Sequence, residues 1–114
     1  MITNATLQRI DVLTGQTATG AEVRTTGAAL AAPAFLDDPT GSQHWNLGAT
    51  IKDASWVCYV AKDELAAAGV TADPLAGDKW ALDFHGVAVL GQILVVKDRQ
   101  LGSVSHWEVF LKRV

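Results

Sequence analysis

The chain has 114 residues, about half of them apolar, and carries a net charge of −3. That is one ordinary domain with enough apolar side chains for a core, which excludes a two-domain enzyme and a disordered tail. Nine basic residues are spread along the sequence, and affinity for duplex DNA comes chiefly from clustered Lys and Arg, so a phosphate-gripping groove is not expected.

Thr6–Leu13 reads as a first strand closed by the turn signal Thr14-Gly15, and Gln16–Gly20 as a hairpin loop. Ala21–Thr26 follows as a second strand, with β-branched Val23, Thr25 and Thr26. From Gly27 to Gly48 the pattern fails: Ala28–Ala32 is nearly all alanine, and Asp37–His44 has loop composition throughout. A connection of roughly twenty residues is long for a compact domain, where loops beyond ~12–15 residues are usually functional or disordered. A short helix or strand at Ala28–Ala32, with only the remainder as loop, is the alternative.

Trp56–Ala61 is a strand, and Lys62–Ala68 a helix of one or two turns stopped by Gly69. Asp73-Pro74 and Gly77-Asp78 mark a turn. Trp80, Leu82 and Phe84 then alternate with Lys79, Ala81 and Asp83 as a half-buried strand, broken at His85-Gly86. Gly91–Lys97 is a continuous apolar run, as in a strand buried on both faces or at an interface. Asp98–Ser103 is a polar hairpin loop. Val104–Lys112 is the last strand, with Trp107, Val109 and Leu111 on one face and His106, Glu108, Phe110 and Lys112 on the other. The expected fold is all-β: a single small antiparallel barrel over residues 1–114, with five to six strands, one short helix and a long inter-strand loop at 27–48.

Candidate chemistry is sparse. Cys58 is the sole cysteine, so no intrachain disulfide or thiolate zinc cluster forms, and its apolar neighbours predict a buried, inert thiol. His106 and Glu108 share a strand face, but two ligands do not make a metal site, and a solvent-facing or interfacial histidine is expected there. Gly102-Ser103 beside His106 lacks the rest of a nucleophilic triad. No phosphate-cradling glycine motif occurs. The reading is therefore not an enzyme, with no cofactor and no metal. With no basic-then-apolar leader and no run near ~20 apolar residues, a soluble protein made in a cytoplasm, away from membranes, is expected.

An ordered series does stand out: Pro74-Leu75-x-Gly77-Asp78, Trp80-Ala81-Leu82, Gly91-Gln92-Ile93-Leu94-Val95-Val96, Gly102, and His106-Trp107-Glu108-Val109-Phe110-Leu111, with Leu7–Val12 as the opening strand. The series resembles the head-closure, or stopper, proteins of long-tailed bacteriophages and the related head–tail joining proteins. It covers most of the chain in order and length, through short motifs, and nothing in Gly27–Gly48 matches closely.

The resemblance implies a small β-barrel assembled in the host cytoplasm as a hexameric or dodecameric ring of the virion neck. One side of the ring would meet the portal–adaptor stack and the other the tail terminator or tail proteins. Double-stranded DNA would pass through without sequence recognition. By position, 27–48 is the counterpart of the family's channel-facing loop, and Asp37, Asp38 and His44 are its candidate channel residues, the aspartates repelling DNA. Trp45 and Trp107 are the candidate subunit contacts and Trp80 the candidate core residue. Two other readings stay open: another neck or tail ring component such as a tail terminator, and a small ligand-binding or hydrolytic β-barrel. The latter needs polar groups converging on a pocket.

Overall fold

The computed structural model describes residues 3–37, 54–101 and 104–114. Within them lie strands β1 (Ala5–Gln16), β2 (Glu22–Thr26), β3 (Ala32–Asp37) and β4 (Trp56–Ala61), then helix α1 (Lys62–Ala67), and then β5 (Lys79–Phe84), β6 (Val87–Leu101) and β7 (Val104–Arg113). All pairings are antiparallel. Six strands close into a barrel in the order β1-β3-β4-β7-β6-β5, and β2 is an extra strand outside the ring.

Closure depends on β1. Its first residues pair on one side with β3 (Ala5↔Ala34, Leu7↔Ala32) and on the other with β5, from Ala5↔Phe84 to Asp11↔Lys79. From Asp11 onward the β3-facing side is taken by β2 instead. The β1–β2 hairpin thus runs on past the β1–β3 pairing, and nearly all its residues from Thr14 to Thr26 are exposed.

The core is the barrel interior. Leu7, Leu36, Val60, Trp80, Leu82, Ile93, Val109 and Leu111 are buried there, with Leu65 of α1 packed into the same cluster. Small side chains belong to it as well, since Ala32, Ala34 and Cys58 are fully buried. A second cluster, Val57 and Phe110 with Ala54, Tyr59 and Val95 against them, forms on the other face of the sheet. Helix α1 carries Asp63 and Glu64 in its first turn, where the helix dipole favours acidic groups. It ends in a paired cap: Gly69 donates to Ala66 O (3.0 Å) and Val70 to Leu65 O (2.9 Å), with Gly69 at φ +92°. Only glycine takes that conformation without strain, so Gly69 is the stop signal its position suggests.

Four local expectations are corrected. The segment 27–48 is not all connection, because β3 lies inside it, pairing with both β1 and β4. Thr14-Gly15 does not end β1: the ladder to β2 shifts register between Leu13 and Gly15 and continues to Gln16. The run Gly91–Lys97, expected to be buried on both faces or to lie at an interface, is not fully buried on both faces within the chain. A bulge opposite Leu111 and Phe110 inserts Leu94, so Ile93 and Val96 face the main core while Val95 faces the second cluster, and only Ile93 is fully buried. The last hairpin is also tighter than expected, since β6 and β7 stay paired up to Leu101↔Val104.

Candidate functional site

The outer face of β3, β4, β7 and β6 carries the densest array of polar and aromatic side chains. Register places Phe35, Tyr59, Glu108 and Lys97 in one row across the four strands, and Ala61, His106 and Arg99 in the next. Residues two apart on a strand share a face, so the rows stack. Tyr59 sits 6.2 Å, centroid to centroid, from Phe35 and 6.1 Å from His106. Arg99 donates from Nε to Glu108 Oε2 at 2.9 Å. Burial, then the charges of Glu108 and Asp37, push the Tyr59 phenol above its ordinary value, with Arg99 acting weakly the other way.

His106 does not face solvent, which corrects the solvent-facing half of the expectation of a solvent-facing or interfacial histidine. It and Glu108 are only 6% and 4% exposed, because Tyr59 and Arg99 of the flanking strands lean over them. Among the described residues no group of three or more His, Cys, Asp or Glu side chains gathers as metal ligands would.

The other candidates are scattered over the fold. Asp37 is exposed at the end of β3, opposite Val57. It borders a hollow with Leu36, Ser55, Trp56 and Phe84. Asp38, His44 and Trp45 lie outside the described residues. Trp107 is half-buried against the main core, and the Lys62 ammonium stands 4.3 Å from its ring centroid while also pairing with Asp98 at 2.7 Å. Trp80 is fully buried, as expected. Cys58 is fully buried too, and desolvation raises its thiol pKa far above the usual range, so the thiolate that would make it reactive is suppressed.

No protein-family model, curated protein or solved structure matches the chain.

One feature was invisible in the sequence. At the α1 end of the barrel, away from Asp37, a cavity of about 320 Å³ opens beneath the helix. Ile10, Leu30, Leu65 and Val70 give it apolar walls, and Trp80 and the buried Asp78 also line it. Asp78 Oδ1 accepts from the Leu13 amide (3.3 Å) and Oδ2 from the Leu75 amide (3.2 Å). In sequence, Asp78 is a turn residue and Trp80 a strand residue. Only barrel closure brings both against residues from β1, the segment after β2 and the helix.

Proposed function

We propose that the chain is a structural protein of a bacteriophage neck, a head-closure ring subunit that joins the portal–adaptor complex to the tail and helps retain packaged DNA. The observation that carries this reading is the closed antiparallel barrel with a projecting β1–β2 hairpin. A small barrel is the architecture that the ordered motif series of the chain's resemblance implies.

Ring assembly needs two different surfaces that fit each other, since a cyclic ring is built from heterologous contacts. The barrel offers two unlike ones. The first is the β1–β2 hairpin, which exposes Val12 and Val23. Thr25 pairs with Val12 and lies two residues from Val23, so both valines share one face. The second is the aromatic and charged array of Phe35, Tyr59, Lys97 and Arg99. Interfaces favour such mixtures of aromatic rings and arginine. Trp107 of β7, half-buried against the main core, is the tryptophan assigned to the subunit contact, together with Trp45. Asp37, at the end of β3, lies within the candidate channel segment 27–48, and its charge would discourage DNA from adhering to the wall.

The test is genetic. Deleting the coding sequence from the phage or gene-transfer element that carries it should leave free tails and heads that lose their DNA, with joining restored by the wild-type chain supplied in trans. Normal yields of joined, DNA-filled particles from the deletion would refute the proposal.

A further inference from the structure

Strand β2 has one neighbour. Its inner edge pairs with β1, and among the described residues no backbone pairs with its outer edge. Three bonds show how its peptide groups are turned. Ala21 donates to Thr17 Oγ1 (3.2 Å) and accepts from the Thr17 amide (2.8 Å), and the Val23 carbonyl accepts from Thr14 Oγ1 (3.0 Å). Ala21 and Val23 therefore face β1. In an antiparallel strand the direction alternates, so Glu22 and Arg24 turn their N–H and C=O groups out of the sheet. Such an edge is a template for another strand, and β2 carries neither the lysine nor the proline that commonly blunts one. We propose that β2 of a second copy takes this edge, paired antiparallel about a two-fold axis through Val23.

Backbone and charge together set the register. Edge hydrogen bonds form only between residues that both face outward, which restricts the ladder within β2 to Glu22, Arg24 and Thr26. Centring on Val23 puts Glu22 opposite Arg24 of the second copy, and Arg24 opposite its Glu22. Opposite charges facing each other across strands stabilise a pairing, and like charges destabilise it. Centring on Arg24, the next register the backbone allows, would set the two arginines against each other. Arg24 already holds Glu22 of its own strand at 2.6 Å, so the four side chains alternate in sign around a square. On the other face the two Val23 side chains, each 43% exposed in the free chain, meet in a non-hydrogen-bonded pair, with Cα atoms about 4.5 Å apart. The hairpin runs past the β1–β3 pairing, so the two barrels lie at opposite ends of a four-stranded sheet, β1-β2-β2-β1. The contact uses up the open β2 edge of each copy, so it closes at two. It rests on this edge alone and holds whether or not the chain belongs to a phage neck. On the neck reading, the dimer is the free form, opened when the hairpin enters the ring.

Sedimentation velocity on the full chain, from about 1 µM to 1 mM, covers the range expected of a small interface. The mass should rise from 12.1 kDa towards twice that value, and the Glu22 and Arg24 amide resonances should shift with concentration. Glu22→Pro removes one outward N–H and leaves the ladder to β1 intact. It should weaken the dimer at least about tenfold while keeping a dispersed spectrum. Glu22→Arg and Arg24→Glu should each weaken it too, and mixing the two variants should restore it as a one-to-one heterodimer, because every cross-strand pair is again opposite in charge. Val23→Cys should cross-link on oxidation. Thr25→Cys should not, since its two copies stand about 13 Å apart in this register. If Arg24→Glu does not fold, Glu22→Pro and the two cysteine variants carry the test. A wild-type chain of single mass at the top of the range would overturn the proposal. So would an assembly of any size that Glu22→Pro leaves unchanged, or cross-linking through Thr25→Cys as efficient as through Val23→Cys.

Discussion

The Leu13 amide donates to Asp78 Oδ1 at 3.3 Å, joining residues 65 positions apart in the chain. This bond extends the seam that closes the barrel, since the β1–β5 ladder itself ends one pair earlier, at Asp11↔Lys79. Asp78 also accepts from the Leu75 amide, and its own carbonyl takes the Ile93 amide at 2.8 Å. The buried carboxylate therefore ties β1 to the turn before β5, and the backbone carbonyl of the same residue ties that turn to β6. Asp78→Ala leaves two amides unpaired, and a loss of about 2–4 kcal/mol in urea unfolding is expected. Asp78→Asn keeps one accepting oxygen and should lose about half as much.

The Arg99–Glu108 pair is asymmetric. The Glu108 side chain is 6% exposed and the Arg99 side chain 50%. Removing the arginine takes a charged partner from a desolvated carboxylate, whereas the arginine's own exposure limits what the pair contributes. Arg99→Ala should destabilise by about 1–3 kcal/mol, and Glu108→Gln, which removes the buried charge, by less. Equal losses in thermal or urea unfolding would contradict this account of the pair.

Tyr59 is the only tyrosine in the chain, so the tyrosinate absorbance near 295 nm reports on it alone. Burial first, and Glu108 and Asp37 next, raise its folded-state pKa. A raised pKa means that the folded state favours the neutral phenol. The resulting stabilisation is fully present below the unfolded value of about 10 and is lost as pH rises through the folded value. Tyrosinate should therefore appear above pH ~10 in the native protein and at the ordinary value in urea. Glu108→Gln should bring the native titration down.

Gly91 faces the side chain of Leu111. A Cβ placed there would stand 2.9 Å from Leu111 Cβ, inside the packed core. Gly91→Ala should cost about 1–3 kcal/mol through overpacking, measurable as a lower urea midpoint with an unchanged slope. Gly86, in the exposed turn after β5, has open space around it, so Gly86→Ala meets only the backbone strain of φ +85° and should cost about 1 kcal/mol.

Elements with a clean period were legible in the sequence. The Trp80/Leu82/Phe84 alternation is β5, the apolar run from Trp56 is β4, and Gly69 ends α1 where its conformation is needed. Strand β3 was not legible because its inward residues are Ala32, Ala34 and Leu36, and its second residue is Pro33. Alanine and proline are both depleted in strands. In a narrow barrel, small side chains face inward for want of room, and that is a property of closure rather than of the segment. The bulges after Leu13 and Ile93 were hidden for a related reason: an inserted residue breaks the period of two on which strand reading relies. His106 looked like a surface group because its cover comes from β4 and β6. The cavity at Trp80 and Asp78 arises from four separate segments, none of which signals it alone.

The neck reading meets its most direct test in the mass of the purified chain in solution, alone and after mixing with portal–adaptor complexes or tail-less capsids. The account predicts stoichiometric capture as a ring on those particles, weakened by Arg99→Glu or Val23→Asp on the two proposed contact surfaces. A chain that stays monomeric and passes the particles by at saturating concentration would contradict it.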